Sequence, residues 1–210
     1  MKKYHLAISL SWRFECLNLF LDIVKNNFQS EIITHVFCNL STECFDKYKD
    51  NIDFSLIDYF HHLPDINCNE NNSVHLGHKI ECKRRQPVDL FINTMKIMSS
   101  KINVESFIYT ECDVFPINEE NYLKNLKLEN NEFMSRYIPQ NRNSKLPNGY
   151  FSPGPIYFSK KCAKHASTEL EKNCRMYLSA GMSFEGMLGM LVSLLAPLGC
   201  KFSPFKGNYH

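Results

Sequence analysis

The sequence predicts an α/β protein whose helices cover a mostly parallel sheet. Short apolar segments alternate with amphipathic ones in the first part of the chain, as in parallel strands joined by helices. No internal repeat and no linker divides the sequence, so we predict a single domain over residues 1–210. The chain has 210 residues, of which 44% are hydrophobic, and this is enough for a core of its own.

The first part of the chain is predicted to run strand, helix, strand, helix, strand. Residues 4–10 are short, apolar and followed by a polar turn, as in a buried strand. Residues 14–26 place apolar side chains at helical spacing, and residues 31–38 are rich in β-branched side chains. Residues 39–42 offer a helix cap, and residues 54–59 predict a third short strand.

The second part of the chain mixes further strands and helices. Residues 63–78 are polar and rich in Asn, so we expect a surface loop, and we expect His61 and His62 at the surface. The remaining predicted elements are a helix at 87–100, strands at 105–109, 132–137 and 154–158, and helices at 162–178 and 184–195.

Composition argues against several classes of protein. The formal net charge of +2 gives no reason to expect nucleic-acid binding, which usually needs a clustered basic surface. The nine cysteines contain no CxxC pair, so we interpret them as reduced thiols in a cytoplasmic protein. The most apolar run, residues 187–198, is shorter than the roughly 20 residues of a membrane-spanning helix. We therefore expect a soluble protein without a transmembrane segment.

The most informative segment is a pair of acids at the end of a predicted strand. Glu111, Cys112 and Asp113 follow an apolar run, and Pro116 soon prevents a regular ladder hydrogen bond. Ligands of open α/β sheets bind beyond the carboxyl ends of the strands. Two carboxylates there repel each other, and Mg²⁺ or Mn²⁺ would remove that cost while bridging them to a diphosphate. The alternative is a solvated turn with two ordinary acids.

This segment resembles the DxD-type motif of nucleotide-sugar-dependent glycosyltransferases of the GT-A fold, with Glu111-Cys112-Asp113 as an ExD variant. The resemblance implies a GT-A-like (Rossmann-like) α/β/α sandwich with a central mixed, mostly parallel sheet. It implies a nucleotide-binding half over about residues 1–115 and an acceptor-side half over about residues 116–210. The metal role passes mainly to Asp113, and Glu111 would contact the donor ribose or sugar, or the metal through water.

Three further residues follow in the order of that family. Gly154 lies in a segment that resembles the loop shaping the donor-sugar and acceptor pocket, where glycine lets a ligand approach the backbone. Glu185 resembles the acid of the xED segment, a general base in inverting members, although Gly186 replaces the usual Asp. His210 resembles a C-terminal histidine that completes the metal site. An ordinary turn, a helix-start acid and a frayed terminus are the respective alternatives.

The resemblance also indicates donor-binding residues. The loop after the first strand, which receives the nucleotide base in this family, here contains Ser9, Ser11, Trp12 and Arg13. Trp12 would stack on a base or else pack under the first helix, and Arg13 would reach a phosphate. Lys79 is a candidate for the diphosphate. Asp89, one helical turn beyond Arg85, would orient such a base or contact the nucleotide.

Together these resemblances imply a metal-dependent enzyme. It would move a sugar from a UDP- or GDP-sugar to a hydroxyl group of a glycan, a protein or a small molecule, with Mn²⁺ or Mg²⁺ as cofactor. The substituted ExD and xED segments leave room for an alternative, a non-catalytic nucleotide- or sugar-binding domain on the same scaffold. A nucleotidyltransferase usually has a Gly-rich loop after the first strand, and residues 9–13 contain no Gly, so it is less favoured.

Overall fold

The fold is taken from a computed structural model of the chain. It describes residues 3–10, 13–64, 80–116, 118–126, 128–135, 137–138, 150–151 and 154–204. Only the backbone is described at residues 80–84, 121, 125, 137–138 and 150–151. Most of the predicted loop at 63–78 lies outside the described residues.

The described residues form nine strands and six α-helices. The strands are β1 (Lys3–Leu10), β2 (Glu31–Cys38), β3 (Tyr59–His62), β4 (Ser106–Glu111), β5 (Glu132–Ser135), β6 (Tyr137–Ile138), β7 (Tyr150–Phe151), β8 (Ile156–Ser159) and β9 (Lys201–Pro204). The helices are α1 (Phe14–Asn27), α2 (Thr42–Tyr48), α3 (Ile80–Ser100), α4 (Glu119–Leu123), α5 (Lys160–Ser179) and α6 (Phe184–Leu195).

Seven strands form the central sheet, in the order β3-β2-β1-β4-β8-β5-β9. Neighbouring strands pair in parallel except at β8, which runs antiparallel to both β4 and β5. β6 and β7 form a separate antiparallel pair. Six strands therefore point their carboxyl ends to one edge of the sheet, where β8 begins. We call this the carboxyl edge.

A hydrophobic core lies on each face of the sheet. On one face, α1 and α2 pack on the strands, and the apolar positions of α1 that showed helical spacing are all buried. On the other face lie α3, α5 and α6, where Phe91 of α3 packs edge-on against Tyr109 of β4 and Phe184 of α6. The predicted α/β/α sandwich with a mixed, mostly parallel sheet is therefore confirmed.

The third strand does not lie where the sequence predicted it. Phe54–Leu56 is a single turn of 3-10 helix, and β3 begins only at Tyr59. The carboxylate of Asp53 accepts hydrogen bonds from the amide and the hydroxyl of Ser55, at 3.0 and 2.6 Å. Such local side-chain bonds favour a turn over an extended chain, so the prediction at residues 54–59 is wrong.

Two further elements differ from what the sequence predicted. The helix predicted to begin at Pro87 begins at Ile80, and Pro87 lies inside it, although proline removes one helical hydrogen bond. The strand β9 was not predicted at all. It pairs with β5, about seventy residues earlier, with Phe133 beside Phe202, and such a distant partner leaves no local signal.

His61 is half-buried, because it belongs to a ladder of stacked rings. β3 pairs with β2 so that His35 lies beside Tyr59, and Phe37 beside His61. The ring of His35 stacks on those of His5, Tyr59 and His61, with centroids 5.3, 4.9 and 5.7 Å apart. Nε2 of His35 lies 3.0 Å from Nδ1 of His5, and its Nδ1 lies 3.4 Å from Nε2 of His61. We call these five residues the ring ladder.

His62 is also partly covered, on the opposite face of β3. Its ring lies 4.3 Å from that of Phe45 between centroids, and its Nε2 donates to the carbonyl of Leu40 at 2.8 Å. Both histidines are thus half-buried rather than fully exposed, because neighbouring strand residues point to opposite faces and rings cover part of each face of β3.

The structure also shows the state of the cysteines and the character of the helices, on which the sequence analysis made predictions. Each of the seven cysteines whose side chains the structure describes is a free thiol, and five of them are buried. None of the helices formed by the described residues combines the length and the apolar character needed to cross a membrane.

Candidate active site

The carboxyl edge brings three predicted site residues side by side. β4 ends at Glu111, so the chain leaves the sheet between the two acids of the ExD segment. Ser9 of β1 is the parallel neighbour of Glu111. On the other side, Tyr109 pairs with Ile156 of β8, and Gly154, two residues before Ile156, therefore lies near the level of Glu111.

Arg13 is tied to the ExD segment by two contacts. Its guanidinium forms an ion pair with the carboxylate of Asp113, although 100 residues separate them in sequence. Its backbone carbonyl accepts a hydrogen bond from Sγ of Cys112 at 3.7 Å. Burial raises the pKa of Cys112 to about 12, so the thiol keeps the proton that it donates. Since Arg13 is the N-cap residue of α1, the start of this helix is docked on the ExD segment.

Glu111 interacts with a second carboxylate, that of Glu185. Burial raises the pKa of Glu111, and repulsion by Glu185 raises it further. The guanidinium of Arg13 acts in the opposite direction and lowers that pKa. Glu111 is therefore under the opposing electrostatic influence of one acid and one base. Together with the ion pair of Arg13 and Asp113, this links Arg13, Glu111, Asp113 and Glu185 into one charged group.

Local structure at the start of α6 places Glu185. The chain turns between α5 and α6 at Gly181, whose φ of 74° lies in the left-handed region that favours glycine. The hydroxyl of Ser183, the N-cap residue, accepts a hydrogen bond from the amide of Gly186 at 3.2 Å. Glu185 lies exposed in the first turn of α6, where the helix dipole also favours a carboxylate.

Ser9 is almost fully buried, with 7% of its surface exposed. Its hydroxyl donates to the carbonyl of Thr110 at 3.5 Å and also interacts with the phenol of Tyr109. Burial raises the pKa of Tyr109 far above its usual range, so this phenol stays neutral. These contacts join β1 to β4 beside the acids, and a role of Ser9 in donor binding stays a prediction.

The helical spacing of Arg85 and Asp89 produces the expected contact on α3. Nε of Arg85 donates to Oδ2 of Asp89 at 2.9 Å. This contact agrees with the idea that Asp89 orients a base of this region, while contact of either residue with a nucleotide stays a prediction.

One buried polar residue at the carboxyl edge, Asn39, was not among the predicted site residues. Asn39 directly follows β2 and is 2% exposed. Its Nδ2 donates to the carbonyl of Gln86 at 3.1 Å and so joins the end of β2 to α3. The helix cap predicted within residues 39–42 is Ser41, whose hydroxyl accepts a hydrogen bond from the amide of Cys44, and Asn39 makes this other contact instead. A polar residue right after a buried strand was the signal that identified Glu111, and it applies equally to Asn39.

Four predicted site residues lie outside the described residues. They are Ser11, Trp12, Lys79 and His210. Their roles in donor binding and, for His210, in metal binding stay predictions.

The oxygen donors of the ExD segment suit a divalent cation. Mg²⁺ and similar ions are commonly held by one or two carboxylates together with substrate phosphates and water. Asp113 keeps 24% of its side chain exposed, so a ligand can approach it. Within the described part of the chain, no three His, Cys, Asp or Glu side chains converge on one point. Phosphate oxygens or residues outside that part would therefore have to complete the coordination.

Comparison with solved structures shows the fold. The sequence matches no protein-family model and no curated protein. The glycosyltransferase GlyE of Streptococcus pneumoniae TIGR4 matches 98% of this chain with a TM-score of 0.54 and 11% identity. The galactosyltransferase LgtC, solved with donor and acceptor sugar analogs, matches 91% with a TM-score of 0.56 and 13% identity. This chain spans 46% of the GlyE chain and 70% of the LgtC chain. Its fold is thus GT-A-like, as predicted.

Proposed function

We propose that this protein transfers a sugar from a nucleotide-diphosphate donor, a UDP- or GDP-sugar, to a hydroxyl group of a glycan, a protein or a small molecule. The observation that carries the proposal is the charged group of Arg13, Glu111, Asp113 and Glu185 at the carboxyl edge. Ligands of open α/β sheets bind at this edge. The donor and acceptor analogs in LgtC, a protein of the same fold, support the assignment.

A divalent cation is part of the proposal. Asp113 would hold Mn²⁺ or Mg²⁺, with Glu111 and His210 as further ligands, and the ion would neutralise charge on the departing diphosphate. The oxygen donors of the two acids favour such an ion over a soft metal.

The donor would lie across the ends of β1 and β4. Arg13 and Lys79 would meet its phosphates, because a guanidinium or an ammonium is the natural partner of a diphosphate. Trp12 would cover the base, and the remaining contacts to the nucleotide or sugar would come from Ser9, Ser11, Asp89 and Gly154.

Glu185 would act as the general base. It is exposed at the start of α6, so an acceptor hydroxyl can reach it, while Glu111 would lie on the donor side. A carboxylate within hydrogen-bond reach of the acceptor would take the hydroxyl proton as the new glycosidic bond forms.

The first test is donor hydrolysis in the presence of Mn²⁺. Asp113→Asn keeps the shape of the side chain but removes its charge, so it should abolish both turnover and Mn²⁺-dependent binding of UDP or GDP. Asp46→Asn is the matched control, because Asp46 also forms an exposed ion pair, with Lys49, and is not part of the charged group. Unchanged hydrolysis in Asp113→Asn would contradict the metal assignment.

A second experiment, combined with the hydrolysis assay, separates catalysis from binding alone. A thermal-shift screen of nucleotide sugars, with and without Mn²⁺, reports any donor that binds the native state. A donor that binds but is neither hydrolysed nor transferred to any of a wide range of acceptors would favour a non-catalytic binding domain.

A further inference from the structure

The ion pair between Arg13 and Asp113 occupies the main proposed metal ligand. One carboxylate oxygen of Asp113 is taken by the guanidinium, so a cation that binds this carboxylate competes with Arg13. The side chains of Arg13 and Asp113 are 50% and 24% exposed, so the pair is partly solvated, and solvated ion pairs are weak. Exchange of one positive partner for another is therefore energetically accessible.

The backbone of Arg13 is held separately from its side chain. Its carbonyl accepts the hydrogen bond from Cys112, and its position as N-cap residue makes it part of the start of α1. The guanidinium can thus leave Asp113 while its attachment point stays beside the ExD segment. After leaving, it lies at the N-terminus of α1, where unpaired backbone amides also favour an anion.

We propose that Arg13 is an exchangeable latch on the metal site. In the donor-free protein its guanidinium holds Asp113, and when the cation and the nucleotide diphosphate arrive, the cation takes Asp113 and the guanidinium moves to the diphosphate. This inference rests on the proposed function. The exchange keeps each charge paired, because a guanidinium binds phosphate oxygens as well as carboxylate oxygens.

The latch predicts that Arg13→Ala binds Mn²⁺ more tightly but the nucleotide more weakly. Without its side chain, Arg13→Ala no longer competes for Asp113, so Mn²⁺ alone should bind with a dissociation constant about two- to fivefold lower, the range for one exposed ion pair. At saturating Mn²⁺, UDP or GDP should bind about tenfold more weakly, because a charge-assisted phosphate contact is lost. A general structural disturbance would weaken both ligands together.

The control is Lys3→Ala. Lys3 forms an exposed ion pair with Glu31 at the opposite end of β1, about 20 Å away along the strand. This variant also removes one positive charge from an ion pair, so it reports any effect of net charge alone. Mn²⁺ binding is read from the electron paramagnetic resonance signal of free Mn²⁺, and nucleotide binding from calorimetry.

The possible outcomes test the latch and the metal assignment separately. Tighter Mn²⁺ and weaker nucleotide in Arg13→Ala, with Lys3→Ala like the wild type, support the latch. Equal or weaker Mn²⁺ binding in Arg13→Ala overturns it, as does equal tightening in Lys3→Ala. If Asp113→Asn binds Mn²⁺ as the wild type does, or if the wild type and Arg13→Ala both fail to bind it, the metal assignment fails and the latch fails with it. Loss of binding in Asp113→Asn without tightening in Arg13→Ala rejects the latch alone.

Discussion

Replacing His35 by phenylalanine should flatten the acid dependence of this protein's stability. His35 is 1% exposed and lies at the centre of the ring ladder. Burial lowers its pKa to about 4, with further lowering by His5 and His61 and opposition from Asp58. The fold therefore keeps this imidazole neutral at a pH where the unfolded chain would charge it.

The magnitude follows from proton linkage. The folded-state pKa is about 4 against an ordinary value of 6.5, so the unfolded chain binds the extra proton between these values. The stabilisation is present above pH 6.5 and is lost as the pH falls towards 4. At about 1.4 kcal/mol per pKa unit, His35 alone contributes a loss of about 2 kcal/mol between pH 7 and pH 5. Burial also lowers the pKa values of His5 and His61, so their contributions have the same sign.

His35→Phe should also lower the free energy of unfolding at neutral pH. Phenylalanine keeps a ring to stack on Tyr59 but removes the contacts of His35 with His5 and His61. We expect a loss of about 1–2 kcal/mol at pH 7, the range for one or two hydrogen bonds. Between pH 7 and pH 5 the wild type should lose about 2 kcal/mol more than His35→Phe. The free energies of unfolding of the two proteins should therefore become similar at pH 5.

The assay is urea unfolding at several pH values between 7 and 5. The free energy of unfolding of the wild type and of His35→Phe is compared at each pH, so that carboxylates common to both cancel. His165→Phe, on α5 outside the ring ladder, is the control and should follow the wild-type slope. Equal losses of stability in His35→Phe and the wild type between pH 7 and pH 5 would refute this account of the ladder.

Three further predictions test the site and its support. Glu185→Gln should lower transfer to the acceptor without weakening donor binding, while Glu43→Gln, also two residues after the serine cap of a helix, should leave transfer unchanged. Phe91→Ala should lower the free energy of unfolding by about 3–5 kcal/mol, because this fully buried ring joins α3 to β4 and α6; Phe91→Leu should cost less in the same urea assay. Glu119→Gln should cost about 1 kcal/mol, because the two carboxylate oxygens of Glu119 each accept a backbone amide of the turn before β2, at 2.8 Å.

The regular elements followed closely from local patterns. The bounds of β2 and α6 agree with the prediction to the residue, because side-chain period and capping are properties of neighbouring residues. The predictions were wrong where a side-chain contact or a distant strand determined the secondary structure. Examples are the turn closed by Asp53 and the pairing of β9 with β5.

The site was only partly readable from the sequence. The position of the ExD segment at the end of β4 follows from an apolar run ending in acids, and the helix-start position of Glu185 follows from its cap. The interactions between the site residues follow from neither of these two local patterns. Arg13 meets Asp113 across 100 residues, and the charge of Glu185 raises the pKa of Glu111.

The sequence by itself determined the α/β class, most of the strands and helices, and the acids at a strand end, because these depend on residues within a few positions of one another. Only the tertiary structure decided the strand order, the reversal of β8, the burial of His35 and the pairing of Arg13 with Asp113. These depend on which distant segments share an edge or a face of the sheet, and that choice is made by the packing of the whole core on both faces.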